Sequence, residues 1–199
     1  IPREIPEALL DGFAWDAERR RYDDLSGVLA YSTRVAGTVG VMMALLMGAR
    51  SAAALARAAD LGAAMQLSNI ARDVGEDARA GRLYLPLDWL RDAGIDPRAF
   101  LAQPRFSESI GAVVDRLLES ADWLYARAAS GIAALPAGCR PAIHAARYMY
   151  AEIGREVARH ERAVALARPR RELERLEAVR PGPGGDLLQR SLGHAGRQE

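Results

Sequence analysis

The chain has little of what marks secreted, metal-chelating or nucleic-acid-binding proteins. Its 199 residues include one cysteine, Cys139, so no internal disulfide can form and we expect a reducing compartment. Its 27 Lys and Arg nearly balance its 26 Asp and Glu, and a net charge of +1 provides no basic surface for nucleic acid. The three histidines share no metal-ligand spacing. Nucleic acid is therefore excluded as an expected partner.

Long hydrophobic runs are also missing. The longest uncharged stretch, residues 35–49, is shorter than the roughly 18–20 apolar residues that span a bilayer. The chain opens Ile-Pro-Arg-Glu, without the basic segment of a secretory signal. We therefore expect residues 35–49 to form a buried helix in a cytoplasmic protein. Because the first residue is not methionine, we expect a piece of a longer chain.

The remaining composition favours helices in one domain, because half of the residues are hydrophobic and alanine, leucine and arginine dominate. We predict an all-α domain over residues 1–167, followed by a charged, Pro/Gly-containing and disordered tail over residues 168–199. Apolar spacing and capping residues predict helices at residues 6–21, 26–47, 51–80, 107–135 and 142–167, with short helices after Pro86 and Pro97.

Residues 66–86 carry the most informative pattern in the chain. On a helix, Asn69, Asp73 and Asp77 fall at i, i+4 and i+8, so an amide and two carboxylates share one stripe. Magnesium typically binds one or two carboxylates together with phosphate oxygens of a substrate. Arg72 and Arg82 bracket the acids and could bind a diphosphate. The alternative is an ordinary acidic face that is exposed to solvent.

The string N-x-x-R-D-x-x-x-D followed by G-R-x-Y-x-P resembles the second aspartate-rich motif of the squalene/phytoene synthase family. Residues 31–40 are similar to the family's Y-x-x-x-V-A-G-x-V-G helix, and residues 145–157 are similar to a late helix that carries a tyrosine. The resemblance covers about residues 1–165, and the sequence of the motif is most similar to that of the family's bacterial phytoene synthases. It implies an all-α, isoprenoid synthase-type helical bundle that lacks its first helices.

This resemblance implies head-to-head condensation of two prenyl diphosphates through a cyclopropyl intermediate, giving phytoene from two geranylgeranyl diphosphates. The implied cofactor is Mg²⁺ (or Mn²⁺), and the apolar product implies peripheral contact with the inner membrane face. Two alternatives stay open. One is a squalene or dehydrosqualene synthase-type enzyme, and the other is a noncatalytic helical interaction module of the same fold.

The resemblance also assigns roles to residues. The metal ligands would be Asn69, Asp73 and Asp77. The substrate-binding residues would be Gln66, Asn69, Arg72, Arg82, Val35 and Gly37. The catalytic tyrosines would be Tyr31, Tyr84 and Tyr150. For Gly37 a neighbouring helix is the alternative to a bound prenyl chain, because either could require a small residue.

One expected element is missing. The family carries a first aspartate-rich motif on an early helix, but Asp11 and Asp16 are five apart and Asp23 and Asp24 are adjacent. Asp16 nevertheless lies where the family often has an acid. We therefore expect the middle and later part of a synthase, with weak activity by itself and an exposed apolar patch along residues 35–49.

Overall fold

The computed structural model describes residues 1–167, with side chains through Arg159, and within this range the backbone is helical and contains no strand. The predicted all-α class is confirmed, whereas the predicted tail at residues 168–199 lies outside the described residues. The described elements are α1 (Glu4–Ala17), α2 (Leu25–Ser32), a π-helical turn (Thr33–Gly37), α3 (Thr38–Leu46), α4 (Ala52–Arg79), α5 (Leu87–Asp92), α6 (Pro97–Ala102), α7 (Glu108–Ile132) and α8 (Arg140–Ala167).

Capping residues set several helix ends where the sequence predicts them. The Ser51 side chain accepts a hydrogen bond from the Ala54 amide at the start of α4, and Ser107 does the same for Ile110 at the start of α7. Each bond satisfies one of the amides that a helix start leaves without a helical partner. Helix α4 ends before Gly81, whose φ of +75° is a conformation that glycine adopts at little cost.

The helix predicted at residues 26–47 has an irregularity that the sequence analysis does not predict. Its middle, Thr33–Gly37, is one π-helical turn between α2 and α3. A π-helical turn accommodates an extra residue and rotates the side chains that follow, and such turns are frequent at functional sites. The turn contains the V-A-G segment, residues 35–37, that carries part of the family resemblance.

Helix α4 packs most extensively on α7, and also on α3 and the π-helical turn. Three glycines permit these close approaches. A Cβ on Gly40 would overlap the Ala58 carbonyl, one on Gly62 would overlap the Ala36 carbonyl, and one on Gly131 would overlap the Arg57 side chain. Adding a side chain at any of the three would therefore push α4 away from its neighbours.

The expected burial of residues 35–49 holds for only part of this segment. Ala44 is buried, but Val39, Met43 and Leu46 are 42 %, 49 % and 70 % exposed. They follow one another at i, i+4 and i+7, so they form an apolar stripe, as the expected apolar patch requires. By length and composition alone, the continuous helix Leu25–Leu46 is sufficient to cross a membrane, although 33 % of its most apolar window is buried within the fold.

Candidate active site

The polar side chains of α4 line one cavity of about 250 Å³. The predicted ligands Asn69, Asp73 and Asp77 line this polar cavity together. The extended segment after α4 adds Arg82 and Tyr84 to the lining, and the start of α5, which follows this segment, is held by hydrogen bonds from the Leu87 amide to Tyr22 and from the Asp88 amide to Asp23. The remaining lining residues are Asp16, Tyr31, Gln66, Ile70, Arg72, Arg82 and Tyr84.

The charged groups of the polar cavity are arranged around Asp73. Arg72 donates from Nε to Oδ1 and from Nη2 to Oδ2 of Asp73, both at 2.7 Å. Such two-point pairing is the strong form of an arginine–carboxylate contact. Asn69 donates from Nδ2 to Oε1 of Gln66 at 3.5 Å, which directs its carbonyl oxygen to the other side of the amide. The stripe therefore offers oxygen atoms, with a guanidinium already beside them.

Asp77 lies in an environment that disfavours its charge. Burial, followed by the neighbouring charge of Asp73, raises the pKa of the Asp77 carboxyl from its usual 3.8 to about 6, although the Arg82 guanidinium opposes this shift. A carboxylate that is destabilised by burial and by a second acid is relieved when a cation binds between them. The electrostatics of the stripe therefore favour a bound cation.

Two of the three predicted catalytic tyrosines meet at Asp16. The Tyr31 hydroxyl donates its one hydrogen to the Asp16 carboxylate and lies 2.9 Å from both of its oxygens, and the Tyr84 hydroxyl donates to Oδ1 at 2.6 Å. The two rings stack with centroids 5.1 Å apart and planes 16° apart. Tyr22 stacks on the other side of Tyr31 with a centroid separation of 5.5 Å. Asp16 thus joins α1, α2 and the extended segment at the polar cavity.

Sequence reasoning noticed the position of Asp16 but gave it no role, and it missed Tyr22. Tyr22 is 3 % exposed, and its hydroxyl makes no hydrogen bond to the described residues. Its ring contacts Trp15, over which the guanidinium groups of Arg20 and Arg34 both lie at 4.2 Å. Trp15, Arg20 and Tyr22 are close in the sequence, but they straddle the end of α1, and no helical spacing links them to Arg34, so only the fold reveals the cluster.

A second cavity, of about 380 Å³, continues from the polar one and is lined mainly by apolar side chains. Gln66 and Asn69 line both cavities, so the two adjoin at this point of α4. Tyr150 lines the apolar cavity, away from the Tyr31–Tyr84 pair, and Val35 lines it as predicted for a substrate-binding residue.

The expectation that Gly37 contacts substrate is not supported by its position. Gly37 is buried, and a Cβ there would meet Thr33 and the Ala59 carbonyl, whereas the residues lining the apolar cavity do not include it. The alternative, a neighbouring helix, explains this glycine. Gly40, three residues later, both contacts α4 and lines the apolar cavity.

The donor set fits a magnesium ion that is shared with a substrate. Among the side chains that the structure describes, no three His, Cys, Asp or Glu residues are placed to hold a metal by themselves. Two carboxylates and one amide on a single helix leave several positions of an octahedral shell for phosphate oxygens and water, which is how magnesium is commonly held. Arg72 and Arg82 at the same cavity match the charge of a diphosphate.

Comparisons with known proteins show which proteins the chain is similar to. The chain is 64 % identical over 159 residues to phytoene synthase of Rhodobacter capsulatus, covering 80 % of this chain and 47 % of that protein. It is 58 % identical over 160 residues to phytoene synthase of Cereibacter sphaeroides, covering 80 % and 45 %. The chain thus spans about half the length of these curated relatives.

The crystal structure of squalene synthase HpnC from Alicyclobacillus acidocaldarius is similar in fold. It superimposes with a TM-score of 0.76 at 18 % identity, over 81 % of this chain and 61 % of that one. The helices described above therefore have the isoprenoid synthase fold. The sequence pattern of the squalene/phytoene synthase family matches residues 1–177. This chain belongs to the squalene/phytoene synthase family.

Proposed function

We propose that the chain supplies the diphosphate-ionising half of a phytoene synthase, which joins two geranylgeranyl diphosphates head to head through a cyclopropyl diphosphate. One observation carries the proposal. The polar cavity with its carboxylates and arginines adjoins the apolar cavity at Gln66 and Asn69. A prenyl diphosphate has the same two parts, a highly charged head and an apolar chain, joined at one point.

The polar cavity would bind the head. Asn69, Asp73 and Asp77 would hold Mg²⁺, while Arg72 and Arg82 would contact the diphosphate oxygens that the metal leaves free. When bound, the metal neutralises the negative charge that develops on the diphosphate as the allylic C–O bond breaks. Positive residues and the metal act in the same direction, because both stabilise the leaving group.

The apolar cavity would bind the chain and keep water from the allylic cation. Its lining positions on α4 extend from Asn69 to Ala54, about 22 Å along the helix axis at 1.5 Å per residue. An extended chain advances roughly 1.2 Å per bond, by the geometry that gives ~3.5 Å per three-bond residue, so a geranylgeranyl chain needs about 18 Å. A farnesyl chain would leave the far end empty. The length therefore favours the longer substrate.

Two other functions make different predictions. A squalene or dehydrosqualene synthase-type enzyme would prefer farnesyl diphosphate. A noncatalytic module would bind neither Mg²⁺ nor prenyl diphosphate. The polar stripe argues against a noncatalytic module, because a destabilised carboxylate such as Asp77 is a cost that an assembly role does not require.

The experiment measures turnover of geranylgeranyl diphosphate with Mg²⁺, using the 199-residue chain and a version extended to the length of its relatives. We expect phytoene from the extended protein, and much less from the shorter chain, which lacks a first aspartate-rich motif. Asp73→Asn should lower turnover roughly 100-fold or more, the effect of losing one electrostatic stabiliser of developing charge. Asp92→Asn, an exposed acid on α5, is the matched control and should have no effect.

Each outcome has a clear meaning. Full turnover by Asp73→Asn would contradict the metal role of the stripe. Selective use of farnesyl diphosphate would replace the phytoene synthase assignment by the squalene synthase type. If the extended wild-type protein binds neither Mg²⁺ nor prenyl diphosphate, the noncatalytic module remains as the function.

A further inference from the structure

Asp16 makes contacts that differ from those of the other acids around the polar cavity. Its carboxylate is reached by two phenol hydroxyls, those of Tyr31 and Tyr84, at 2.6–2.9 Å. The other cavity acids, Asp73 and Asp77, belong to the stripe on α4, where Arg72 and Arg82 lie beside them. Asp16 comes from α1, on a separate element. Its two phenol partners distinguish it from the acids of the stripe.

These hydrogen bonds determine which way both phenol groups point. A phenol has one hydrogen to donate, and a carboxylate can only accept. Since Tyr31 and Tyr84 both donate to Asp16, their hydrogens are directed at the carboxylate, and the lone pairs of their oxygens are left for the cavity. Both residues line the polar cavity, so this orientation is what a substrate there would meet.

We propose that Asp16 is a positioning residue that holds the hydroxyl hydrogens of Tyr31 and Tyr84, so that both tyrosines present oxygen lone pairs to the reacting carbons. Its role in catalysis rests on the proposed function. Oxygen lone pairs stabilise a positive centre, whereas outward-pointing hydroxyl hydrogens would repel it. The tyrosines would then contact the allylic cation, and the diphosphate would be left to the arginines and the metal.

The tyrosines are also kept in the protonated form that this arrangement requires. Burial, then the hydrogen bond to Asp16, raises the pKa of Tyr84 to about 12, and burial also raises the pKa of Tyr31. At neutral pH both hydroxyls therefore keep the hydrogen that they donate. The near-parallel stacking of the two rings fixes the phenol oxygens side by side over one carboxylate.

The experiment observes the phenol groups directly, by NMR of the full 199-residue chain carrying ¹³C at tyrosine Cζ. Tyr31→Phe and Tyr84→Phe assign the two signals by their loss. Asp16→Asn should move the Tyr31 and Tyr84 signals, because a neutral amide accepts more weakly than a carboxylate. It should leave those of Tyr148 in place. Asp11→Asn, an exposed acid on the same helix, is the matched control and should move neither.

Turnover in the extended protein supplies the second readout. Asp16→Asn should lower kcat at least tenfold and change KM for geranylgeranyl diphosphate less than twofold, and Asp16→Glu should restore part of kcat. Adding Asp16→Asn to a Tyr31→Phe/Tyr84→Phe protein should cause little further loss, because its partners are already absent. If Asp16 had only a structural role, Asp16→Asn would instead add its full loss of kcat to that of the tyrosine variants.

Several outcomes would overturn the proposal: unchanged tyrosine signals in Asp16→Asn, a rise in KM with kcat retained, or full additivity with the tyrosine variants. If Asp16→Asn folds poorly, the Tyr31 signal in the Tyr84→Phe protein tests the proposal by itself. The remaining Tyr31 signal should keep the position typical of a phenol bonded to a carboxylate, and a solvent-like position would refute the arrangement. The proposed function fails separately, when the extended wild-type protein gives no Mg²⁺-dependent binding of prenyl diphosphate while the NMR result stands.

Discussion

Arg72 covers both carboxylate oxygens of its neighbour Asp73, with Nε–Oδ1 and Nη2–Oδ2 distances of 2.7 Å. A metal ion and this guanidinium would therefore compete for the same two oxygens. A diphosphate resolves the competition, because it offers Arg72 another pair of oxygens and offers the metal additional ligands. Metal and diphosphate should then bind cooperatively, each weakly alone.

The first prediction follows from this competition. Arg72→Gln should increase the affinity of the chain for Mg²⁺ alone severalfold, because Asp73 is released, and should weaken Mg²⁺–diphosphate binding about tenfold or more, because one charged contact is lost. Isothermal titration with Mg²⁺, with inorganic diphosphate and with both measures the two effects. Arg79→Gln, an exposed arginine at the end of α4, is the control. Equal weakening of both equilibria would contradict the competition.

A second prediction concerns pH. Because the folded-state pKa of Asp77 is raised to about 6, mainly by burial, its protonated form is favoured in the fold. The stability that this group contributes is complete below its usual pKa near 4, and it is lost as the pH rises through about 6. Melting temperatures from pH 4 to pH 7, measured without metal, should therefore fall more for wild type than for Asp77→Asn.

Magnesium should reverse part of that loss. At pH 7 the ionised Asp77 is available to the cation, so Mg²⁺ with diphosphate should raise the melting temperature of wild type more than that of Asp77→Asn. Asp92→Asn should behave like wild type in both series. Parallel pH profiles for wild type and Asp77→Asn would show that the Asp77 carboxyl is not destabilised in the fold.

The third prediction separates the two groups of tyrosines. Tyr31→Phe should lower kcat roughly tenfold, equal to about 1.4 kcal/mol, with KM nearly unchanged, because one hydroxyl near the cation is lost and the diphosphate contacts remain. Tyr150→Phe should act mainly on product distribution, since Tyr150 lines the apolar cavity. Steady-state kinetics and product analysis measure both, with the exposed Tyr148→Phe as control. A large rise in KM for Tyr31→Phe would place its hydroxyl on the diphosphate instead.

The fourth prediction concerns chain length. Ala58 lines the apolar cavity in the part distant from the polar stripe, so Ala58→Leu should shorten the space available to the prenyl chain. The ratio of kcat/KM for geranylgeranyl over farnesyl diphosphate should fall about tenfold or more, within the range that added methylenes produce in an apolar pocket. Ala56→Leu, an exposed position on the same helix, should leave the ratio unchanged. An unchanged ratio in Ala58→Leu would show that the chain lies elsewhere.

What the sequence predicts well is local. The helix starts near residues 51 and 107, the helix end near residue 80 and the stripe from Asn69 to Asp77 depend on residues within a few positions of one another, and each has a fixed geometric result in a helix. The spacing therefore correctly places the metal-ligand stripe on one side of α4, although its metal role stays a prediction.

What the sequence does not predict depends on contacts between distant segments. Asp16 meets Tyr84 across 68 positions of the chain, and no periodicity encodes that meeting. For Gly37, the local sequence allows two explanations. A small residue can serve a ligand or a neighbouring helix equally well, and only the position of the Ala59 carbonyl decides between them.

The π-helical turn at Thr33–Gly37 sets how far α3 is rotated relative to α2 within the continuous helix Leu25–Leu46. Upstream of it, α2 directs Tyr31 to the polar cavity; downstream, α3 directs Val39 and Met43 to the apolar cavity and its rim. One residue of a regular α-helix corresponds to about 100° of rotation. Deleting a single residue within the turn would leave a continuous apolar helix, but it would rotate the side chains of α3 relative to those of α2, so one set would no longer reach its cavity. The same helix could then no longer line both the polar and the apolar cavity.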